Sequence, residues 1–445
     1  MADKPETIVP IRDAEKHAAT EQDINPWDVH AAHDEQGNVL AFDYVAISRK
    51  WATKLIDHDL LERFERLTGH KPHRWLRRGL FFSHRDFDKI LDKYEAGEPF
   101  FMYTGRGPSS DALHLGHTIP FSFTKWLQDV FDVPLDDEKA LFKENLTFEE
   151  THKFGLHNAK DIIACGFDLK KTFIYSDLDY VKGPMLMNIW EFAKLVTFNQ
   201  VRGAFGFNES TNIGRIMFPA VQWYVNAPSI GVASFATSYP EIWSDSPPAE
   251  RTKAIAKIPC LIPMAIDQDP YFRLVRDNAH RMRYPSPKPA LIHSKFLTAL
   301  QGAGGKMSAS DPNSAIFMTD TPNQIKNKIN KHAFSGGRDT LEEHRRLGGN
   351  PDVDVAFQYL SYFEEDDEKL KQIEESYRSG ELLTGELKKM AITLLQDYVK
   401  DFQERRKAVT DEILRQYMTP RKLEWKGNPN PKPKPNKSKE DKDAK

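Results

Sequence analysis

The chain has 445 residues, 40% of them hydrophobic, and a formal net charge of -3, which predicts a globular protein of two or three domains. No apolar run is long enough for a membrane helix, residues 1–17 lack the apolar core of a secretion signal, and the near-neutral charge neither indicates nor excludes nucleic-acid binding. Because Cys165 and Cys260 stand in unrelated contexts, we expect a cytoplasmic protein with no membrane partner, no disulfide framework and no zinc cluster.

The N-terminal region is predicted to be an extension that precedes the main domain. Residues 1–24 are charged and aperiodic, and a short hairpin is expected within 25–43. From 50 to 98 the apolar residues recur at helical intervals, with interruptions such as Gly79. This pattern predicts a helical lead-in, and we place the end of the extension at residue 80.

The middle of the chain is predicted to be an α/β domain with a parallel sheet, at residues 81–319. Short β-prone runs at 99–104, 171–175 and 258–265 are separated by helical patterns, which is typical of this fold class. After residue 319 the character changes to helices without strands, at 324–332, 352–363, 368–377, 384–397 and 399–418.

We therefore expect a separate helical domain at 320–426. The remaining segment, 427–445, is rich in proline and lysine and is expected to be disordered.

The first chemical motif, TGRGPSSDALHLGH at Thr104–His117, follows the strand at 99–104 and leads into a helix. Open parallel sheets collect ligands at this position, and glycines there allow the backbone to approach a phosphate or a base. His114 and His117 lie three residues apart, so both imidazoles can donate to a phosphoryl group as its charge shifts. The alternative is a structural turn that carries two surface histidines.

The second motif is the glycine-rich segment Gly302–Ser310, which carries Lys306, Ser308 and a second serine at its end. Such a loop can close over a triphosphate, with the lysine neutralising the departing phosphates while the hydroxyls position oxygens. A glycine-rich surface linker is the alternative interpretation.

Together the two motifs resemble the HIGH and KMSKS signatures of class I aminoacyl-tRNA synthetases. Further segments resemble the eukaryotic cytosolic tryptophanyl-tRNA synthetases over roughly Pro26 to Leu423, a similarity long enough to leave little room for chance. These segments are TGRGPSS, KWLQDVF, DIIACGFD, TFNQV, CLIPMAIDQDPYFR, KMSASDPNSAIF, HAFSGGRDT and TGELKK.

This resemblance implies a fold and a set of partners. Residues 81–319 would be a Rossmann-type catalytic domain with a connective insertion, and 320–426 an all-helical anticodon-binding domain that binds tRNA(Trp). The enzyme would be a homodimer that uses ATP as a substrate, with Mg²⁺, to activate L-tryptophan.

The resemblance also implies roles for individual residues. Tyr103 matches the residue whose hydroxyl meets the indole N–H, and Glu138, Gln222 and Gln268 match the set that binds the amine. The residues assigned to catalysis are His114, His117, Lys306 and Ser308, and those that match ATP contacts are Arg106, Gly107, Gly116, Lys139, Met307 and Ser310. None of these needs to be a nucleophile, because the substrate carboxylate can attack the α-phosphate directly.

Two departures from the family pattern leave alternatives open. The chain runs from Leu135 straight into acidic residues, so we expect the second inner strand of the sheet to be missing, and the connection after Gln222 is extended. One alternative is therefore a synthetase-derived binding protein with impaired catalysis. The other is a tyrosine-specific relative, whose pocket would need a polar group for the substrate hydroxyl.

Overall fold

The structure, a computed structural model, describes residues 21–24, 29–32, 40–107, 110–133, 135–138, 147–177, 184–224, 257–282, 285–302, 305–308 and 311–432. Its strands are β1 (Asp23–Ile24), β2 (Val29–His30), β3 (Lys54–Leu55), β4 (Phe81–Arg85), β5 (Phe101–Gly105), β6 (Leu135–Glu138), β7 (Thr172–Ile174), β8 (Cys260–Ala265) and β9 (Ala290–Ser294).

The helices fall into three groups along the chain. The N-terminal group is α1 (Tyr44–Lys50), α2 (His58–Thr68), α3 (Arg74–Arg77) and α4 (Phe87–Glu95). Those between the central strands are α5 (Leu115–Phe131), α6 (Phe148–Ala164), α7 (Pro184–Ala193), α8 (Phe198–Phe205), α9 (Ile213–Tyr224) and α10 (Asp269–Asn278). The C-terminal group is α11 (Pro322–His332), α12 (Leu341–Leu347), α13 (Val355–Phe363), α14 (Asp367–Arg378), α15 (Thr384–Lys407) and α16 (Asp411–Met418).

Seven strands form one sheet in the order β3-β4-β9-β8-β5-β6-β7. The five strands from β9 to β7 run parallel, and β4 and β3 complete the other edge in antiparallel pairing. From β5 the chain first adds β6 and β7 on one side and then β8 and β9 on the other. This Rossmann-type order confirms the predicted α/β fold, and its switch point lies between β5 and β8.

The expectation that an inner strand is missing is wrong. The segment Leu135–Glu138 forms β6, which pairs with β5 from Met102 to Gly105 and with β7 from Thr172 to Ile174. Strand pairing uses backbone N–H and C=O groups, so an acidic sequence can occupy an inner position even though acidic residues are rare there. The extended connection after Gln222 lies mostly outside the described residues.

The helical lead-in predicted for 50–98 is only partly confirmed. The helices α2, α3 and α4 are present, but Phe81–Arg85 is a strand of the central sheet, and so is the short β3. The hairpin of β1 and β2 is also present, but β1 lies at Asp23–Ile24, ahead of the expected range 25–43. Residues 81–84 are all buried. A strand buried on both faces has no alternating pattern, so its apolar run cannot be distinguished from a helix by periodicity.

The helical C-terminal region is confirmed, with different boundaries. Residues 384–407 form one helix rather than ending at 397, and the next helix begins after Thr410, whose hydroxyl accepts from the Ile413 N–H at 3.2 Å. The capping side chain therefore determines the break, whereas the apolar pattern alone placed it too early. The helix α12 had no counterpart in the prediction.

The first part of the proline- and lysine-rich tail is ordered, in contrast to the prediction that disorder begins at residue 427. Asn428 donates a side-chain hydrogen bond of 2.9 Å to the carbonyl of Tyr94, and the Lys432 N–H donates to the carbonyl of Glu95 at 2.7 Å. Residues 427–432 thus pack against α4. Residues 433–445 lie outside the described part of the chain.

One large core joins the sheet to the C-terminal helices. The buried Trp75 stacks near Phe81, and its indole N–H donates to the carbonyl of Tyr362 on α13 at 2.6 Å. Phe81 in turn stacks on Phe123 of α5, with ring centroids 3.8 Å apart. Among the described residues, none of the helices has the length and apolar character needed to cross a lipid bilayer.

Candidate active site

The two chemical motifs meet at the switch point of the sheet. Hydrogen bonds of 2.9 Å from the Leu115 N–H to the Ile316 carbonyl and of 2.8 Å from the Met318 N–H to the Leu113 carbonyl join the first motif to the segment after the second. Met307 lies close above Gly116, since a β-carbon there would be 3.6 Å from its sulfur and 3.2 Å from the His114 ring. The predicted convergence of the two motifs is confirmed, and glycine at 116 leaves the space between them.

The histidine pair lies where α5 begins. His114 precedes the helix and His117 lies in its first turn; their rings stack with centroids 3.4 Å apart, and Nδ1 of His117 accepts from the His114 N–H at 3.3 Å. Burial, together with the nearby charges of Arg106 and Lys306, lowers the pKa of His114 to about 3. His114 is therefore neutral at pH 7 and can act as a hydrogen-bond donor to an anion without carrying charge.

Arg106 places a buried cation beside the histidines. Its Nη2 donates to the Ser110 hydroxyl at 2.8 Å, but Nε and Nη1 have no hydrogen-bond partner among the residues that the structure describes. Burial lowers the pKa of Arg106 to about 10, so the guanidinium remains charged at neutral pH. A buried guanidinium with free donors is a suitable partner for a phosphate.

Lys306 reaches the carboxyl end of β8. Its Nζ lies 2.8 Å from Oδ2 of Asp267, which is only 4% exposed and belongs to the short 3₁₀ turn Ile266–Gln268. Sequence reasoning did not assign Asp267 to the site, although its position next to Gln268 was a signal. The ion pair holds the lysine at the carboxyl end of the sheet, where the second motif is predicted to close over a triphosphate.

The predicted amino-acid pocket lies between β5, α9 and α10. Gln222 donates from Nε2 to the Tyr103 hydroxyl at 3.2 Å, and both side chains are buried. The Phe272 ring, which sequence reasoning did not assign, lies 6.4 Å from the Tyr103 ring. Gln268 ends the turn that leads into α10. Tyr103, Gln222 and Phe272 thus form a buried cluster that is mostly aromatic, with one phenol hydroxyl bonded to one amide.

For the other predicted site residues the structure gives fewer contacts. Gly107 follows β5, and the Ser308 N–H donates to the Ser314 hydroxyl at 3.1 Å, which anchors the second motif. For Glu138 the structure describes the backbone, at the end of β6. Lys139 and Ser310 lie outside the described residues.

Three histidines, of which His84 and His114 are buried and His73 is half-buried, predict a loss of stability in mild acid. The pKa of His73 and of His114 is about 3 and that of His84 about 4, each lowered chiefly by burial from an ordinary value of 6.5. Below pH 6.5 the unfolded chain therefore binds protons that the folded chain does not, so the free energy of unfolding falls as the pH falls. We expect a loss of up to about 4 kcal/mol between pH 7.5 and 5.5.

Urea unfolding at the two pH values measures this change. The variant His84→Asn should show a shallower pH dependence than the unmodified protein. An unfolding free energy that does not change over this interval would contradict the prediction.

Comparisons with known proteins show the family of this chain. Residues 95–400 match the family model of the class I tRNA synthetases (W and Y). The cytoplasmic tryptophan–tRNA ligase of Homo sapiens is 55% identical over 91% of this chain and 82% of the relative, and that of Saccharomyces cerevisiae is 52% identical over 91% and 90%. The tryptophanyl-tRNA synthetase structure from Giardia lamblia superposes with a TM-score of 0.76 at 43% identity, covering 84% of this chain and 96% of that one. The chain therefore belongs to the class I tRNA synthetases, in the family of the cytoplasmic tryptophan–tRNA ligases.

Proposed function

We propose that the chain is a cytoplasmic tryptophan–tRNA ligase, which uses ATP to activate L-tryptophan and transfers it to tRNA(Trp). The observation that carries this proposal is the meeting of Arg106, His114 and Lys306 at the switch point, next to the pocket of Tyr103 and Gln222. Two cationic side chains and a neutral imidazole favour a polyphosphate, and the apolar pocket favours an aromatic amino acid.

Both chemical steps can proceed without an enzyme nucleophile. In the first, the tryptophan carboxylate attacks the α-phosphorus, the bond from that phosphorus to the bridging oxygen breaks, and diphosphate leaves. Arg106 and Lys306 neutralise the charge that grows on the phosphates, and the histidine pair donates hydrogen bonds. In the second, a ribose hydroxyl at the tRNA end attacks the adenylate carbonyl, its proton is released, and AMP leaves.

Mg²⁺ fits this site as a metal held mainly by the phosphates. Asp267 Oδ1 is buried and lacks a hydrogen-bond partner among the described residues, so it offers one oxygen donor. A bound Mg²⁺ would supply further neutralisation of phosphate charge. Because Lys306 already contacts the other oxygen of Asp267, this carboxylate can orient the lysine whether or not the metal is present.

Tyr103→Phe tests the amino-acid pocket. Removing the hydroxyl takes away a hydrogen-bond acceptor for the indole N–H and leaves Nε2 of Gln222 without this partner. We expect the KM for tryptophan to rise by about tenfold with a smaller change in kcat. Tyr377→Phe is the matched control, since its hydroxyl donates to Asp354 within the C-terminal helices at 2.8 Å and should leave this KM unchanged. Equal KM values in Tyr103→Phe and the unmodified protein would contradict the assignment.

Amino-acid-dependent exchange of labelled diphosphate into ATP tests the function as a whole. We expect exchange with tryptophan and far less with tyrosine. A stronger response to tyrosine would favour the tyrosine-specific alternative, and silence with both amino acids would favour the binding protein. The binding-protein alternative was motivated by an inner strand expected to be missing, but that strand is β6 and is present.

The basic residues of the proposed anticodon-binding domain, residues 320–426, are candidates for contact with tRNA. Several candidates instead stabilise the fold; for example, Lys388 donates to the carbonyl of Ala333 and Arg405 to that of Ala164. Exposed candidates include Lys326, Lys331, Arg346, Lys389, Lys407 and Lys422. Such lysines and arginines would contact phosphates and contribute salt-dependent affinity.

For the proposed homodimer, α7, α8 and α9 offer exposed large apolar side chains. Trp190, Phe198 and Ile213 are 52%, 48% and 75% exposed on these helices. Exposed large apolar side chains favour association with another protein surface. Sedimentation of the variant Ile213→Glu, compared with the unmodified chain, tests whether this surface joins two copies.

A further inference from the structure

A second buried charge cluster lies directly behind the proposed active site. Asp269 begins α10, is fully buried, and receives two hydrogen bonds from Arg85 of β4, Nε to Oδ1 at 2.7 Å and Nη2 to Oδ2 at 2.9 Å. Nε2 of His293 on β9 lies 3.1 Å from Oδ1, and the other ring nitrogen lies 3.0 Å from the Ser83 hydroxyl. We call Asp269, Arg85, His293 and Ser83 the Asp269 anchor.

The residues that contact Asp269 are themselves fixed in place. Besides its two bonds to Asp269, Arg85 donates from Nη2 to the carbonyl of Trp51 at 2.7 Å and from Nη1 to that of Ala52 at 3.2 Å, just after α1. Arg85 and His293 come from two neighbouring strands of the sheet, so their positions are set by backbone pairing. The carboxylate of Asp269 therefore has little freedom to move.

The anchor adjoins the turn that carries two proposed site residues. Gln268 immediately precedes Asp269, and Asp267, which contacts Lys306, lies one residue further back. Buried ion pairs are seldom more stabilising than apolar side chains of the same volume, because desolvation offsets the attraction. A fully buried charge at this point therefore suggests a geometric role.

We propose that Asp269 is a positioning residue, which fixes the turn Ile266–Gln268 so that Asp267 faces Lys306 and Gln268 faces the amino-acid pocket. This inference rests on the proposed function, since it assigns Gln268 to tryptophan and Lys306 to ATP. Asp269 itself touches neither substrate. It acts by holding the carboxyl end of β8 against β4 and β9.

The test compares Asp269→Asn with Asp86→Asn. Asp86 forms a partly buried pair with Arg276, at 2.7 Å, which also joins the region after β4 to α10 but lies about two helical turns from the active-site turn. The readouts are thermal stability and the KM and kcat of tryptophan-dependent diphosphate exchange. We expect similar losses of stability in both variants, and a rise in the tryptophan KM with a combined loss of about ten- to a hundredfold in kcat/KM for Asp269→Asn alone.

Arg85→Lys is the second variant, in case Asp269→Asn does not fold. It keeps the positive charge but loses the two parallel hydrogen bonds, so its kcat/KM should lie between those of Asp269→Asn and the unmodified protein. If the folded variants change kcat/KM no more than Asp86→Asn does, the anchor is purely structural and the inference is wrong. If the unmodified protein shows no tryptophan-dependent exchange, the proposed function itself fails, and the inference fails with it.

Discussion

Replacing Lys306 with alanine is expected to slow adenylate formation by roughly two to three orders of magnitude, while the affinity for tryptophan changes little. The ammonium group is the one on the second motif that reaches the carboxyl end of β8, and in the structure Asp267 holds it there at 2.8 Å. Removing it takes away positive charge where the diphosphate departs. Single-turnover measurement of the adenylate, together with a tryptophan-binding titration, separates the two effects.

Lys171→Ala is the matched control for this experiment. Lys171 also pairs with an aspartate, Asp132, but it precedes β7 and therefore lies at the opposite edge of the sheet from the carboxyl ends. This variant should lose some stability and keep its rate of adenylate formation. A loss of tryptophan affinity in Lys306→Ala as large as its loss of rate would contradict a role on the phosphates.

Arg106→Leu is expected to reduce adenylate formation by about two orders of magnitude and to leave the protein as stable as before, or up to about 2 kcal/mol more stable. The reason is that the buried guanidinium makes one side-chain hydrogen bond, to Ser110, and leaves Nε and Nη1 without partners among the described residues. A leucine would remove this desolvated charge, but it cannot bind a phosphate. The measurements are the rate of adenylate formation, the KM for ATP and the free energy of unfolding.

Arg78→Leu should show the opposite combination. Arg78 is also largely buried, but it donates to Asp367 at 2.8 Å and to the carbonyls of Ser361 and Glu364 at 2.9 and 2.7 Å. We expect this variant to unfold more easily and to retain its KM for ATP. If Arg106→Leu is destabilised as much as Arg78→Leu, then the guanidinium of Arg106 is a structural group and its assignment to ATP is wrong.

The parts of the fold that were predicted correctly are those with a local signal. The strand at 101–105, its turn and the helix from Leu115 follow from an apolar run, glycines and an amphipathic pattern. The errors occurred where a local pattern is ambiguous. The buried strand Phe81–Arg85 has apolar residues on both faces, and the acidic strand Leu135–Glu138 has almost none, yet both pair within the sheet. Backbone pairing with neighbours that are distant in sequence decided both cases.

The same distinction applies to the active site. The two motifs predicted to bind phosphate could be read from local patterns of glycine, histidine and lysine, whereas Tyr103, Gln222 and Gln268 were assigned through the resemblance to the family. Only the tertiary structure decided that Asp267 meets Lys306 and that Arg85 holds Asp269, a pair separated by 184 positions in the chain. Ion pairs of this kind depend on which strands become neighbours, and that is set by the packing of the whole sheet rather than by the residues next to them in sequence.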